Sequence, residues 1–454
     1  MSRPVTLHRA PVVLPVCAEP IRDGCVEVCG DTVGWVGPVS AYRGAPGAVR
    51  DWPGVLTPGL VNAHCHLQYT DFADLADFVD HTAAGGVPFA DWMMALVARR
   101  AEFTEQRWRR SAERGIAAVL ASGTTCVADV VTDPCVCEPL FGSGLTGVAY
   151  LEAVAADDAT WAAGKRAGLL AALDRDTGPA VGGLRLGVSP HSPYTLGTSV
   201  FAECVTVARE RGLRLHPHLA ETVGEVELVR SGTGRFAELI RSVGWLLELV
   251  RDGGSGLSPA AYLDGMGALG PDVHVAHGVH LDAADRALLR QRGTAVALCA
   301  RSNAILGAGE PPVATFRAEG SPVAVGTDSL ASSPSLDLLA ELAALRRVAL
   351  GQGSPEAGLD RWLVEAATVG GARALGLTTG GGAVGVLRPG VRADLAAFDV
   401  PTGDDPYAAL VAHGAGRCAG TVLAGRVWTG EAMPGQGAEP AGMSGRPDPE
   451  GAPA

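Results

Sequence analysis

The central part of the chain alternates short apolar runs with longer amphipathic segments. Short runs rich in β-branched residues predict strands, whereas apolar residues spaced three or four apart predict helices. The pattern predicts eight strands, over residues 55–67, 126–131, 147–153, 184–189, 213–219, 273–279, 295–300 and 322–328. Helices are expected over residues 89–121, 199–211, 283–292 and 335–351. Eight β-α units predict an α/β fold with a (β/α)8 TIM-type barrel rather than an open doubly wound sheet, because no Gly-rich phosphate turn opens a helix here.

The two ends of the chain share a sequence pattern that differs from that of the central part. Short alternating runs bounded by Gly and Pro occur near the start and return near the end. Such runs predict strands and turns, so we expect a small β-sandwich domain built from both chain ends. The expected organisation is residues 1–57 and 379–430 in the β-sandwich, residues 58–378 in the barrel, and residues 431–454 in a disordered tail. The tail is predicted from its Gly, Pro and Ala content and its lack of periodicity.

The composition is that of an ordinary globular protein. Of the 454 residues, 47% are hydrophobic and 19% are charged. The formal net charge of −13 argues against a nucleic-acid or anionic-membrane surface, since both need clustered positive charge. No apolar run approaches the roughly 18 residues of a membrane span, and the first residues lack the features of a signal peptide. Ten Cys in so long a chain do not predict a disulfide scaffold, and we expect a cytoplasmic location.

A His-x-His pair ends the first predicted barrel strand, in Pro58-Gly-Leu-Val-Asn-Ala-His-Cys-His-Leu67. Side chains alternate faces along a strand, so His64 and His66 point the same way while Cys65 points to the opposite face. The functional sites of such barrels lie at the C-terminal ends of the strands. Two imidazoles at this spacing suit zinc or iron, which bind His nitrogens at about 2.0–2.2 Å. The pair alone is a weak signal, but three further polar segments end other predicted strands.

The fifth predicted strand ends in His218-Leu-Ala-Glu221. His218 offers a third nitrogen ligand. Glu221 is expected over the same cleft, where a carboxyl group that is not bound to the metal can donate a proton to a ring nitrogen of the substrate. His216 shares the parity of His218 and is expected to be packed or hydrogen-bonded one layer deeper. Pro217 cannot donate to the strand ladder, which predicts a bulge or an early strand end.

Asp328 and His277 end the eighth and sixth predicted strands. As a ligand, Asp328 would bind the metal through one carboxylate oxygen and accept a proton from the activated water through the other; the alternative is a simple helix cap. His277 is expected within reach of the same water or of the developing oxyanion. His274 has the wrong parity and His280 lies beyond the strand, so both are expected to be structural.

The chain has a single lysine, Lys165, and it lies in a predicted helical segment. A two-metal site bridged by a modified strand lysine therefore cannot form. The predicted cofactor is one divalent metal, Zn or Fe, held by His64, His66, His218 and Asp328.

Together these segments resemble the amidohydrolase superfamily, in its deaminase and chlorohydrolase branch. The resemblance covers most of the chain, including the closing Gly385-Val-Leu-Arg-Pro-Gly-Val-Arg-Ala-Asp-Leu-Ala-Ala-Phe-Asp399. It implies a distorted barrel with one Zn or Fe, and it makes Glu221 and His277 the acid–base pair. Within the branch, Cys299-Ala-Arg-Ser-Asn303 and Gly326-Thr-Asp-Ser-Leu-Ala-Ser332 are similar to the aminodeoxyfutalosine deaminases of menaquinone biosynthesis. Cys65 and Gln68 depart from that group, which usually has Thr and Glu at these positions.

The resemblance implies hydrolytic deamination of an N6-aminopurine nucleoside derivative, best matched by 6-aminodeoxyfutalosine. Water activated by the metal would attack C6 while Glu221 protonates the ring nitrogen, and His277 and Asp328 would handle the remaining protons. The alternatives within the branch are S-adenosylhomocysteine or methylthioadenosine deamination, or hydrolysis of another C–N bond or of a chlorotriazine. An alternative from another class is a catalytically silent binding homologue, although such proteins usually lose metal ligands and this chain keeps the whole set.

Besides Glu221, three residues are predicted to contact the substrate. His191, in Ser189-Pro-His-Ser-Pro-Tyr194, is expected to hydrogen-bond the substrate, with a structural role as the alternative. Trp92 is a candidate aromatic wall for a purine, with ordinary helix packing as the alternative. Arg301 is assigned from its place in the 299–303 segment. The expected partner is a small molecule, and the sequence leaves assembly into a homo-oligomer open.

Overall fold

The computed structural model describes residues 4–78, 89–175 and 183–430, so the predicted tail over residues 431–454 lies outside the described residues. The strands are β1 Val5–Val13, β2 Ile21–Cys29, β3 Thr32–Pro38, β4 Ala48–Asp51, β5 Val55–Pro58, β6 Leu60–Cys65, β7 Thr124–Val131, β8 Thr146–Ala153, β9 Leu184–Pro190, β10 His218–Leu219, β11 His274–His277, β12 Ala295–Leu298, β13 Val323–Val325, β14 Leu395–Phe398, β15 Cys418–Leu423 and β16 Arg426–Val427. The helices are α1 Ala73–Phe78, α2 Phe89–Arg100, α3 Glu105–Ala121, α4 Cys137–Gly142, α5 Asp158–Thr160, α6 Arg166–Leu173, α7 Thr198–Glu210, α8 Val223–Ser231, α9 Gly234–Ser242, α10 Glu248–Arg251, α11 Pro259–Gly265, α12 Ala283–Arg292, α13 Ala300–Ile305, α14 Val313–Ala318, α15 Leu338–Gly351, α16 Leu359–Glu365, α17 Gly371–Ala374 and α18 Pro406–His413. The fold is therefore mixed α/β.

Both chain ends contribute to one eight-stranded sheet. Its strand order is β16-β15-β14-β5-β1-β2-β3, with β4 paired to β1. Strand β14 lies antiparallel to β5, with Leu395 opposite Pro58 and Phe398 opposite Val55. This pairing joins the C-terminal strands to the N-terminal ones, as the strand pattern at both chain ends predicts. The sandwich form of this domain and the predicted domain boundaries stay predictions.

Two four-stranded parallel sheets lie between the chain ends, with orders β6-β7-β8-β9 and β10-β11-β12-β13. Single bridges connect the two sheets on both sides, one between Val188 and Leu215 and one between Cys65 and Asp328. The ladder is short at the first connection because Pro217, just before β10, has no N–H to donate. The eight parallel strands lie near their predicted positions, whereas their closure into a regular barrel stays a prediction.

Two predicted elements are each divided in the structure. The strand expected over residues 55–67 is split at Gly59, where the chain passes from the terminal sheet into the parallel one; a Cβ at this position would collide with the Thr125 side chain. The helix expected over residues 89–121 is split into α2 and α3. Thr104 begins the second helix, because its side chain accepts a hydrogen bond from the Arg107 N–H and so satisfies one free donor of the first turn.

The helices cover the parallel sheets with apolar faces. Buried residues of this interface include Leu120 of α3, Phe201 of α7 and Leu342 of α15, all of them within one large core cluster. A helix long and apolar enough to cross a bilayer is absent from the described ranges. Since the helices and turns follow the carboxyl ends of the strands, the polar residues at those ends are left facing a cavity.

Candidate metal centre and active site

One cavity of about 340 Å³ collects most of the predicted site residues. The predicted residues that line it are His66, Trp92, His191, His218, Glu221, His277 and Asp328. His64 lies directly behind them and is fully buried. A cavity of this volume falls in the range that encloses a small organic ligand.

The four predicted metal ligands converge on one point. The ring nitrogens of His64, His66 and His218 lie within 4.8 Å of one another. Asp328 Oδ1 lies 3.6 Å from His64 Nε2 and 3.7 Å from His66 Nε2. Separations of about 3–4 Å are those that ligands placed about 2.0–2.2 Å from a single ion require. The donor set therefore fits one divalent metal.

A chain of histidines fixes which nitrogen of His64 is free to bind. His216 Nδ1 donates to the His274 carbonyl at 2.9 Å, so His216 Nε2 accepts from His64 Nδ1 at 2.8 Å. His64 Nε2 is left without a proton, and it is buried without a hydrogen-bond partner among the described residues. A buried nitrogen without a hydrogen-bond partner destabilises the folded state. Binding to a metal ion would give His64 Nε2 the missing partner. The predicted buried, hydrogen-bonded state of His216 matches this geometry.

His218 is oriented in the same way. Its Nδ1 donates to the His191 carbonyl at 3.1 Å, which leaves Nε2 free for a metal. This contact between a ring N–H and a backbone carbonyl is a common support for metal-binding histidines. His274 and His280, expected to be structural, donate to the carbonyls of Ala63 and Ala308 at 2.9 and 2.7 Å.

A close approach between the first and last parallel strands places His64 beside Asp328. Asp328 N–H donates to the His64 carbonyl at 3.0 Å. At Gly326 a Cβ would lie 2.6 Å from His64 Cβ and 2.8 Å from its carbonyl oxygen. No side chain fits in this space, so glycine is required here by contact rather than by backbone conformation.

Asp328 is held by three donors. Ser302 Oγ and Ser332 Oγ donate to Oδ2 at 2.6 and 3.0 Å, and Ser329 N–H donates to Oδ1 at 2.8 Å. Its φ of 59° lies in the left-handed region, which is strained for a residue with a side chain. Burial acts to raise the pKa of Asp328, but the neighbouring imidazoles of His64, His66 and His277 outweigh it and the net shift is well downward. The side chain is therefore a carboxylate.

The buried carboxyl group of Glu225 positions the backbone of Glu221. Glu225 Oε1 accepts from the Ala220 N–H at 2.8 Å, and Glu225 Oε2 accepts from the Glu221 N–H at 3.0 Å. Ala220 has a left-handed φ of 51°, and these two bonds hold the turn in which it lies. Burial, followed by the charges of Asp328 and Glu225, raises the pKa of Glu221 well above its usual value. This shift favours the protonated form of Glu221.

His277 faces Glu221 across the cavity. Its Nε2 lies 3.5 Å from Glu221 Oε1, and Asn303 Nδ2 donates to its Nδ1 at 3.1 Å, so the ring proton is on Nε2. Burial, followed by the field of the neighbouring histidines His64 and His66, lowers the pKa of His277 to about 3 despite the opposing charge of Asp328. A neutral imidazole thus points an N–H into the cavity.

The sequence profile of the Amidohydrolase family matches residues 55–428. The chain belongs to this family. The 5-methylthioadenosine/S-adenosylhomocysteine deaminase of Haloarcula marismortui is 32% identical over 393 residues, which is 84% of this chain and 81% of that protein. The aminodeoxyfutalosine deaminase of Deinococcus radiodurans is 32% identical over 368 residues, which is 78% of this chain and 81% of that protein.

Solved structures share the fold. The Helicobacter pylori aminofutalosine deaminase in complex with methylthio-coformycin has a TM-score of 0.77 at 21% identity, covering 93% of this chain and 100% of that one. An adenosine deaminase from Xanthomonas campestris with bound zinc has a TM-score of 0.75 at 24% identity, covering 93% and 92%. The expected resemblance to the amidohydrolase superfamily is thereby confirmed.

Two further predicted contacts of this amidohydrolase lie at the cavity and one does not. His191 Nδ1 is bonded to Thr195 Oγ1 at 2.8 Å, while its Nε2 faces the cavity. Trp92 lines the cavity and donates from Nε1 to the Ala331 carbonyl at 3.0 Å. Arg301 is absent from the described cavity lining; its guanidinium donates to Ser335 Oγ at 3.1 Å instead. Arg301 is the second residue of α13, three residues after the end of β12, and its side chain turns toward Ser335 instead of the cavity.

The structure adds Glu152, which the sequence analysis missed. This residue near the end of β8 lines the cavity, and its Oε1 lies 3.8 Å from His191 Nε2. Burial acts to raise its pKa, but the charges of His191 and His66 outweigh it and the net shift is downward. Glu152 could have been found from the sequence, as an acidic residue near the end of an otherwise apolar strand.

The supporting residues of this amidohydrolase site were also missed. They are Glu225, Ser302, Asn303 and Ser332, and none of them follows a strand directly. Their contacts depend on which strands are neighbours, so strand parity alone does not predict them.

Proposed function

We propose that the protein is a metal-dependent hydrolytic deaminase of an N6-aminopurine nucleoside. One observation carries this proposal: three imidazoles and one carboxylate face a common centre, and Glu221 and His277 lie beside it in the same cavity. The relatives named above are nucleoside deaminases, which supports the same reaction class. The eight parallel strands would then form the distorted barrel of this family.

His64, His66, His218 and Asp328 would hold the metal. When bound, a divalent metal acts as a Lewis acid that lowers the pKa of a water molecule and so makes a nucleophile at neutral pH. Zinc and iron both accept three imidazoles and a carboxylate. Lys165 is exposed on another part of the chain, which is consistent with a single metal.

Three side chains would carry the protons. Glu221 donates its proton to the ring nitrogen next to the reacting carbon, which makes that carbon more electrophilic. His277 donates its Nε2–H to the oxygen that develops negative charge there. Asp328, held as a carboxylate, accepts the proton that the attacking water loses. Asp328 then passes the proton that it accepted to the amino group, while the deprotonated Glu221 regains a proton from the hydroxyl group on the reacting carbon, so that ammonia leaves as a neutral molecule and the carbonyl forms.

The remainder of the nucleoside would lie against His191, Glu152 and Trp92. A carboxylate next to an imidazole offers hydrogen bonds to a vicinal diol, and Glu152 and His191 form such a pair at one side of the cavity. The specific substrates to distinguish are 6-aminodeoxyfutalosine, favoured by the segments 299–303 and 326–332, and methylthioadenosine or S-adenosylhomocysteine. The first would place the enzyme in menaquinone biosynthesis.

Ammonia release across a panel of adenosine analogues tests the proposal. Purified protein loaded with zinc or iron should release ammonia from at least one analogue, with the absorbance change that accompanies loss of the adenine amino group. Inactivity toward every analogue with metal bound would refute the proposal. Chloride release from a chlorotriazine in the same assay would instead indicate the chlorohydrolase alternative, and an empty metal site would revive the binding-homologue alternative.

A further inference from the structure

Helix α13 supports two of the reacting groups of the site. Ser302 Oγ donates to Asp328 Oδ2 at 2.6 Å, and the next residue, Asn303, donates from Nδ2 to His277 Nδ1 at 3.1 Å. Ser302 and Asn303 are both fully buried. The orientations of Asp328 and His277 therefore depend on where the first turn of α13 lies.

The first turn of α13 obtains a hydrogen-bond acceptor from another helix. The first N–H groups of a helix have no partner within that helix and need an acceptor from elsewhere. Cys299, the residue before α13, makes no side-chain cap. Instead Glu341 Oε1, on α15, accepts from the Arg301 N–H at 3.0 Å. Glu341 thus caps α13, although it lies 40 residues further along the chain.

Glu341 is a buried carboxyl group outside the described cavity lining. Burial raises its pKa to about 8, although the backbone N–H groups of Arg301 and Ala300 and the charge of Arg301 act against this shift. Arg301 Nε lies 4.0 Å from Glu341 Oε2, and Oε2 is without a hydrogen-bond partner among the described residues. A buried acid with such an incomplete ion pair adds little to stability. Its contact with α13 is therefore what distinguishes it from an apolar core residue.

The side chain of Arg301 makes a second connection between the same two helices. Its guanidinium donates to Ser335 Oγ at 3.1 Å from each of its two terminal nitrogens. Ser335 lies just before the start of α15. Since the backbone of Arg301 bonds to Glu341 within α15, α13 is held to α15 at two points.

We propose that Glu341 is a positioning residue of the metal centre, which acts through the first turn of α13 on Asp328 and His277. The kinetic part of this inference rests on the proposed function, whereas its metal-binding part rests on the ligand geometry alone. Without the acceptor on Glu341, Ser302 and Asn303 lose their alignment with the groups that they hold. Changes to residues that orient metal ligands lower metal affinity or activity by about 10–100-fold. Because Glu341 acts through a further residue, we expect about tenfold.

Two variants at position 341 separate the acceptor from the burial of the side chain. Glu341→Leu keeps a buried side chain and removes the acceptor. It should raise the Kd for zinc, measured by competition with a chromophoric chelator, by about tenfold. It should also lower kcat for ammonia release by about tenfold, with KM changed by less than about threefold. Glu341→Gln keeps an oxygen acceptor and should stay within about threefold of the wild type in Kd and kcat. Wild-type values in Glu341→Leu, or equal losses in the two variants, would overturn the inference.

A double-mutant cycle tests the route through α13. Ser302→Ala removes the donor to Asp328. Adding Glu341→Leu to Ser302→Ala should raise the Kd for zinc by less than about twofold more, because two changes on one route are not additive. Losses that multiply in the double variant would overturn the inference. If the wild-type protein releases no ammonia from any nucleoside, the proposed function fails, and the cycle on zinc binding still decides the role of Glu341.

Phe201→Leu is the control for a general loss of stability. Phe201 is a fully buried core residue of α7, and its truncation should lower the urea midpoint, as the loss of the acceptor in Glu341→Leu should. At a temperature at which all variants are folded, Phe201→Leu should leave Kd and kcat within about threefold of the wild type. A rise in Kd equal to that of Glu341→Leu would show that metal binding follows overall stability, and it would overturn the inference.

Discussion

Replacing Glu221 by Gln removes a transferable proton while keeping the size of the side chain and a hydrogen-bond donor. Glu221 is 2% exposed, and its raised pKa favours the protonated form that the acid role needs. The amide of Gln can still donate a hydrogen bond to the substrate ring but cannot release the proton. General acid–base catalysis of this kind contributes about 10²–10⁴-fold, which corresponds to about 3–5.5 kcal/mol of the barrier. We therefore expect kcat to fall by that factor.

The assay is steady-state ammonia release with metal content measured on the same samples. KM should change by no more than about threefold, because the lost interaction acts in the transition state, and bound metal should equal that of the wild type. Glu138→Gln is the control, because Glu138 is an exposed acid on α4 that pairs with Arg109 outside the cavity lining. Activity of Glu221→Gln within about threefold of the wild type, at equal metal content, would refute the acid–base role.

Three further changes probe the ligands, the support of Glu221 and the substrate contact. His66→Ala should lower the metal bound per chain after dialysis against a weak chelator, measured by elemental analysis, and full retention would contradict its role as a ligand. Glu225→Ala leaves the N–H groups of Ala220 and Glu221 buried and without an acceptor. The free energy of unfolding, measured by urea titration, should therefore fall by about 1–3 kcal/mol for each group. An unchanged urea midpoint would show that water replaces the carboxylate. Glu152→Gln should raise KM for a nucleoside about tenfold with little change in kcat, because a charged acceptor contributes about 1.5–3 kcal/mol, and an unchanged KM would remove Glu152 from the substrate contacts.

The convergence of the four predicted metal ligands could be expected from the sequence, because strand parity and the ends of parallel strands bring their side chains to one place. His64 and His66 are two apart across the end of β6, His66 being the residue after its last one, so their side chains share a face. His218 and Asp328 end other parallel strands, and the carboxyl ends of such strands meet at the same side. No knowledge of strand neighbours was needed to place these side chains together.

Other features depend on contacts that the one-dimensional pattern does not contain. The long apolar run over residues 55–67 gave no sign that Gly59 separates two sheets, since both strands are buried. The α2–α3 break is set by Thr104, a single capping residue within an otherwise helical pattern. Arg301 was assigned from its place in the segment 299–303, and the start of α13 after Cys299 directs its side chain to Ser335.

The contact at Gly326 makes the metal centre sensitive to a residue that offers it no donor atom. Any larger residue would press on His64 and push its imidazole out of line with the other three ligands. A random screen for chains that no longer retain metal should therefore recover changes at this glycine alongside the histidines. The residues of α2 and α9 that line the cavity are not in this contact, so substitutions there can change substrate preference while the contact between the first and last parallel strands stays intact.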